Sequence, residues 1–190
     1  MKKNLGSLAA VYPMPVLMIA TYDKNGKVDV MNAAWGMICD YDKIALFLAE
    51  DHKTTANILE SKAFTVAIAD KEHIEAADFF GIASGNKMDD KFERTGYTAV
   101  KSEFVNAPVI EEFPVVMHCE LAEVINTETT YAIIGRIVNT SAEESVLDEK
   151  GKIDCEKLNA LIFDQFRSGY YVSGEKVGKA WNAGKGLMKK

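Results

Sequence analysis

The sequence predicts a mainly β fold, an antiparallel barrel or sandwich of roughly six or seven strands with short helices in the connections. Short apolar runs recur along the chain, and turn residues separate them every ~8–12 residues. An Asn-Gly pair sits between the first two runs, as in a hairpin. The regular alternation of strands and helices that builds a doubly wound sheet is absent from the sequence.

The first third of the chain predicts a hairpin and then a buried strand. Residues 15–22 and 28–35 are strand-like, and Asn25-Gly26 between them favours a primed hairpin turn. We expect residues 36–40 to be a short connection. The apolar run at 43–49 then predicts the third strand.

The middle of the chain predicts two helices around another strand. Residues 54–61 indicate a short helix, and the partly β-branched run at 63–69 indicates a strand. Apolar residues at helical spacing favour a second helix over 73–83. One or two further helical turns are expected over 88–94, ended by Gly96.

The last part of the chain predicts a long hairpin. Residues 114–125 and 130–140 are strand-like, and Gly135 indicates a bulge or a close backbone approach. We expect 97–109 to be irregular and 154–158 to form a helical turn. Two short apolar pieces near 162 and 170 precede a glycine-rich basic end.

Composition excludes several classes of function. The 190 residues suit a single domain over 1–190, and the net charge of −6 without a basic cluster argues against nucleic acid. The apolar runs are far shorter than the ~20 residues that span a bilayer. Three cysteines and three histidines without ligand spacing argue against a metal site and suit a reducing cytoplasm.

Polar residues mark the start of the first predicted helix. Asp51, His52, Lys53 and Thr54 follow the strand at 43–49. The N–H groups of a helix N-terminus carry partial positive charge, so a lysine and hydroxyls there suit a phosphate. On spacing alone, ordinary capping chemistry is the favoured explanation of the same residues. Asp51 would repel an anion, and it could instead cap the helix or face solvent.

Four short motifs occur in a characteristic order. They are Pro13-x-Pro15-Val16-x-x-Ile19-Ala20-Thr21, Asn32-Ala33-Ala34-Trp35-Gly36, Asp51-His52-Lys53-Thr54-x-x-Asn57-Ile58 and Phe64-Thr65-Val66. From about residue 13 to about residue 178, the chain resembles the flavin reductase-like proteins, especially those of the flavoredoxin type. The resemblance implies an FMN-binding, antiparallel split β-barrel of Greek-key topology, and a homodimer with FMN near the subunit interface.

The resemblance also implies roles for individual residues. The segment Met31, Asn32, Ala33, Ala34 and Trp35 would run along the flavin ring, although a core role explains the alanines and the tryptophan as well. The phosphate would be held by His52, Lys53 and Thr54, and the ribityl chain approached by Asn57, which could instead cap locally. Lys91 would lie near the flavin or its phosphate unless it is simply solvated, and Ser84, Gly85 and Asn86 could line the same cleft.

These residues lead to three hypotheses about function. The first is an oxidoreductase that passes electrons from NAD(P)H, or from a reduced electron-transfer protein, to a flavin, metal or small acceptor. FMN would carry that chemistry, so no catalytic side chain of the protein is expected. The second is a flavoredoxin-type electron carrier without turnover of its own, and the third is a non-redox flavin-binding barrel.

Overall fold

The centre of the computed structural model, which describes residues 1–188, is an antiparallel sheet of seven strands. Five shorter strands and three α-helices surround it. The strands are β1 Met14–Pro15, β2 Leu17–Tyr22, β3 Val28–Ala33, β4 Gly36–Asp40, β5 Lys43–Leu46, β6 Ala63–Ile68, β7 Ala99–Lys101, β8 Pro108–Ile110, β9 Val115–Asn126, β10 Tyr131–Ala142, β11 Leu161–Asp164 and β12 Gly169–Val172. The helices are α1 Lys53–Ser61, α2 Ile74–Ile82 and α3 Cys155–Leu158.

The order of strands confirms the predicted split barrel. The seven-stranded sheet runs β3-β2-β6-β9-β10-β5-β4, so β3 and β4 are its two edges and the barrel is not closed. The predicted β2–β3 hairpin is present and turns over residues 23–27, with the Asp23 carboxylate accepting the N–H groups of Asn25 and Lys27 at 2.8 and 3.0 Å. The predicted primed turn is wrong, because it needs a positive φ at Asn25 and in this loop only Gly26 has one. Two small sheets, β1-β11-β12 and β7-β8, lie outside it.

Two predictions about connections were wrong. Residues 36–40 form β4, which pairs with β5, rather than a connection. Residues 97–109 contain β7 and β8, which pair with each other, although the rest of that segment is irregular as expected. Strand β4 lacks the alternation that burial on one face imposes, because its side chains beyond Gly36 are all exposed.

The main sheet separates two apolar clusters. Successive residues of β2 point to opposite faces, so Met18 packs with Phe80 of α2 while Ile19 packs with Phe64 and Ile58. The second cluster fills the interior of the barrel. Helix α2 covers the outside of the hairpin β2–β3, which brings the end of this helix beside β3.

Gly135 lies where the ring of Phe64 packs against the backbone of β10. The register between β9 and β10 shifts at Ile134 and Gly135, so Ala122 has no partner on β10 and forms the predicted bulge. A Cβ on Gly135 would lie 2.4 Å from Cζ of Phe64, so a residue larger than glycine does not fit beside this ring. The structure therefore confirms the bulge, and the close neighbour of Gly135 is the side chain of Phe64.

Two kinds of feature are absent from the residues that the structure describes. Among residues 1–188 no helix has both the length and the apolar character needed to cross a membrane. The histidine, cysteine and acidic side chains of the same residues form no group of three that would hold a metal ion.

Candidate functional site

The N-terminus of α1 opens into a cleft between α1, β3 and the end of α2. His52 precedes the helix with extended backbone, and within residues 1–188 no side chain caps it. The first-turn N–H groups of an α-helix have no partner inside the helix, so they keep partial positive charge here. The helix is anchored at Thr55, whose hydroxyl donates to the carbonyl of Ala49 at 2.8 Å.

Six residues proposed from the sequence line this cleft together. The opposite wall is the end of α2 and the loop after it, residues 80–85, which includes Ser84 and Gly85. The six are Met31, Asn32, His52, Lys53, Thr54 and Lys91. The fold therefore brings together residues up to sixty positions apart in the chain, although their roles toward a ligand stay a prediction.

Asp29 is a member of the site that the sequence reasoning missed. It lies on β3, is 4% exposed and lines the cleft. The Thr54 hydroxyl donates to Asp29 Oδ2 at 2.5 Å, which ties the first turn of α1 to β3. A signal was present in the sequence, since Asp29 stands between Val28 and Val30 in a strand where a charged residue needs a partner if buried.

Lys91 is a buried cation in the wall of the cleft. Its side chain is 5% exposed, and Nζ donates to the carbonyl oxygen of Phe80 at 2.9 Å. Burial lowers the pKa of Lys91; the Asp29 carboxylate opposes this shift and Lys53 adds to it. The predicted alternative of a solvated lysine is thereby wrong. A buried ammonium with one carbonyl partner retains two N–H donors for an anion.

Lys53 adds a second positive charge to the cleft. Its Nζ lies 3.6 Å from Asp23 Oδ2 in the hairpin turn, and both side chains are only partly exposed. With Lys91 and the α1 N-terminus, Lys53 makes the cleft locally positive in a chain whose net charge is −6. Asp29 is the opposing charge among the lining residues, and its Oδ2 is already occupied by Thr54.

A hydrogen bond joins the loop after α2 to the segment that precedes α1. The Asn86 amide donates to the backbone carbonyl of Asp51 at 2.8 Å. The exposed Asp51 therefore contributes its backbone to holding the loop. A Cβ on Gly85 would lie 2.3 Å from Asp29 Oδ1 and 3.1 Å from Cδ of Lys53, so the loop needs glycine to approach this closely.

A second, mostly apolar recess continues from the first. The two share Asn32, Gly81 and Ile82. The recess lies between β3, α2 and the small sheet of β11 and β12. Its remaining walls are Val16, Ala34, Asp78, Phe163 and Tyr170. The cleft therefore has a charged end at α1 and an apolar, aromatic end at β12.

Four of the ten residues given roles above lie outside the charged cleft, and of these only Ala34 lines the apolar recess. Ala33 packs against the interior cluster. Asn57 is buried and donates to the Thr21 hydroxyl at 3.0 Å, so its amide faces the barrel. Trp35 is 60% exposed and lines a separate apolar groove with Met37 and Phe47. Local spacing alone could not separate these three from the residues that face the cleft.

Comparison with known proteins gives a consistent result. Residues 8–169 match the model of the flavin reductase like domain. The chain is similar to flavoredoxin of Desulfovibrio vulgaris (Miyazaki F), with 36% identity and a TM-score of 0.92, over 97% of this chain and 100% of that one. It is also similar to flavoredoxin from Methanosarcina acetivorans, with 26% identity and a TM-score of 0.89, over 99% of this chain and 100% of that one.

A more distant solved structure shares the fold. It is an FMN-binding protein from Thermus thermophilus, 19% identical, with a TM-score of 0.76, and the match covers 94% of this chain and 98% of that one. The family match spans most of the chain and includes every residue that lines the charged end of the cleft and all but Tyr170 of those that line the apolar end. The chain thus belongs to the flavin reductase-like domain family and, within it, is of the flavoredoxin type.

Proposed function

We propose that the protein binds FMN in the two-part cleft and transfers electrons through it. The observation that carries the proposal is the division of the cleft into a positive end at α1 and an apolar, aromatic end at β12. FMN has the same division, with a phosphate at one end and a planar ring at the other. The family match and the likeness to two flavoredoxins support this assignment.

The charged end fits a phosphate group. The uncapped α1 N-terminus, Lys53 and Lys91 offer N–H donors, and anions bind readily at such helix ends. The Thr54 hydroxyl already donates a hydrogen bond to Asp29. Thr54 would therefore donate to the phosphate through its backbone N–H. The second oxygen of Asp29 is left to accept a hydroxyl of the ribityl chain.

The apolar end fits the ring. Val16, Ala34, Phe163 and Tyr170 form a surface on which an aromatic ring can pack, and Asn32 places a polar group at its border. When bound, FMN supplies the redox chemistry, since its ring accepts a hydride or single electrons. The chain's own residues hold the phosphate, orient the ring and exclude water from one side of it.

A spectrum of the protein as isolated tests the proposal. We expect visible flavin absorbance, or its appearance after reconstitution with FMN, and bleaching of that absorbance on anaerobic addition of NADH or NADPH. Protein that stays colourless and shows no heat of binding with FMN would contradict the proposal.

The likeness to flavoredoxin favours a second candidate, an electron carrier that exchanges electrons with other proteins. The two candidates differ in turnover. Continued oxidation of NADH or NADPH with excess acceptor supports an enzyme. Reduction by dithionite or by a reduced carrier protein, with no reduction by either nucleotide, supports the carrier.

The cysteines are not expected to take part in electron transfer. Cys119 is fully buried, and burial raises the pKa of its thiol to about 12, so it stays protonated at neutral pH. Cys39 is exposed on β4, away from both parts of the cleft. We expect Cys39→Ser and Cys119→Ala to leave the rate of flavin reduction nearly unchanged, measured by stopped-flow absorbance. A large loss of rate in either folded variant would show thiol chemistry.

Lys91 should make FMN affinity depend on pH. Because burial lowers its pKa, Lys91 loses its positive charge at a pH below the ordinary lysine value of 10.5. FMN affinity should therefore fall as pH rises through that lowered pKa, as the attraction to the phosphate is lost. Calorimetric titrations across the alkaline range measure the fall.

The matched variant is Lys91→Arg, which stays charged over this range. Its affinity for FMN should fall less than that of wild type in the same window, because only ionisation of the flavin imide then contributes. Stability of the flavin-free protein changes in the opposite sense: the cost of burying the charge is fully present below the folded pKa and disappears as pH approaches 10.5. An affinity profile shared by wild type and Lys91→Arg would place Lys91 away from the phosphate.

We also propose a homodimer that forms through β4 and the groove beside it. Strand β4 is an unpaired edge of the sheet, and it exposes Met37 and Ile38. Exposed apolar edges of this kind favour association. We expect wild type to sediment as a dimer and Met37→Asp/Ile38→Asp to sediment as a monomer. Val100→Asp, which alters an exposed valine elsewhere, is the control and should leave the mass unchanged.

A further inference from the structure

Asn32 lies on β3 where the charged and apolar parts of the cleft meet. Its Nδ2 donates to the backbone carbonyl of Ala77 in α2 at 2.9 Å. This bond fixes the orientation of the amide, because the reversed amide would place Oδ1 against another carbonyl oxygen. Asn32 therefore has a defined donor side and a defined acceptor side.

Tyr170 lines the apolar recess together with Asn32. Its hydroxyl donates to Asp78 Oδ1 at 2.9 Å, which leaves the phenol oxygen as an acceptor. Burial and the Asp78 carboxylate raise the pKa of Tyr170 to about 12, and a hydrogen bond from Asn32 opposes that rise. The direction of this last effect agrees with the amide orientation that the bond to Ala77 sets, with Nδ2 on the side of the phenol oxygen.

The acceptor side of Asn32 remains open toward the cleft. Within residues 1–188 no group donates to its Oδ1, although Asn32 lines both parts of the cleft. The Asn32 side chain lies beside the backbone of Gly81, where an added Cβ would be 3.4 Å from Cβ of Asn32. The fold thus holds one carbonyl oxygen in place where the two parts of the cleft join.

We propose that Asn32 Oδ1 accepts a hydrogen bond from the imide N3–H of the bound flavin ring, and that Tyr170 and Asp78 are the positioning residues that orient it. This inference rests on the proposed function. A carbonyl acceptor recognises an imide N–H and rejects a ring that carries an alkyl group there. Through Tyr170, strand β12 would therefore take part in recognising the ring.

The test compares FMN with FMN methylated at N3, titrated into flavin-free protein by calorimetry and by quenching of flavin fluorescence. Wild type should bind the methylated flavin more weakly by about threefold to tenfold, as one net hydrogen bond requires. Asn32→Ala should bind FMN more weakly by a similar factor. It should also no longer distinguish the two flavins, because it lacks the group that does so.

Tyr170→Phe tests the positioning role. Removing the hydroxyl should reduce the preference for FMN over the methylated flavin while thermal unfolding stays close to that of wild type. Tyr171→Phe is the matched control, because Tyr171 is the exposed neighbour on β12 and should keep the full preference. A change in packing alone would weaken both flavins equally and leave their ratio as it is.

The outcomes separate this inference from the proposed function. Wild type that binds neither flavin contradicts the proposed function itself. Wild type that binds both equally overturns the inference and leaves FMN binding intact. The wild-type comparison needs no variant, so it can overturn the inference even where Asn32→Ala fails to fold; a preference that persists in folded Asn32→Ala also overturns it.

Discussion

Replacing Gly135 by alanine is expected to lower the free energy of unfolding by about 1–3 kcal/mol, the usual cost of forcing extra volume into a packed core. The added Cβ would lie 2.4 Å from Cζ of Phe64 and within 3.3 Å of both Cε atoms. The ring is fully buried inside the barrel, so it has no space into which to withdraw. Denaturant unfolding of the flavin-free protein measures the change, and the melting temperature should fall by roughly 3–10 °C.

Two further variants isolate the clash from other effects. Gly174→Ala adds the same methyl group where no atom lies within 4 Å, so it should leave stability unchanged. In Gly135→Ala/Phe64→Leu the ring is gone, so the double variant should be more stable than the sum of the two single changes predicts. If the stability changes of the two single variants simply add in the double variant, contact with the Phe64 ring is not the reason why Gly135→Ala is destabilised.

The parts of the fold that were predictable are those set by neighbouring residues. The β2–β3 hairpin follows from Asn25-Gly26 and its flanking apolar runs, and the start of α1 follows from the polar residues before Lys53. Strand β4 could not be found in this way. It is held by backbone pairing with β5 at the edge of the sheet, while its side chains carry no pattern of burial.

The same distinction applies to the candidate site. Lys53 and Thr54 were found because a helix start is a local signal. Asp29 was missed because its burial depends on Thr54, which lies 25 positions away in the chain. Tyr170 was missed because the position of β12 beside α2 depends on distant strands: β12 pairs with β11, and β11 pairs with β1. Sequence alone does not show which distant strand completes a cleft.

Replacing Lys53 and Thr54 together by alanine should weaken FMN binding by about 1–3 kcal/mol, which is a loss of roughly fivefold to 150-fold in affinity. Lys53→Ala removes a charged donor from the cleft. Thr54→Ala acts indirectly: it removes the hydroxyl bound to Asp29 Oδ2 and leaves a buried carboxylate to oppose the phosphate. Calorimetric titration of flavin-free protein with FMN measures the loss.

Riboflavin and a neighbouring lysine serve as controls for this variant. Riboflavin lacks the phosphate, so its affinity should change much less than that of FMN. Lys87→Ala should bind FMN as wild type does, because Lys87 is exposed in the same loop and does not line the cleft. If the double variant lost FMN and riboflavin to the same extent, the defect would be in the fold of the cleft. If it bound FMN unchanged, the phosphate would bind elsewhere than at the N-terminus of α1.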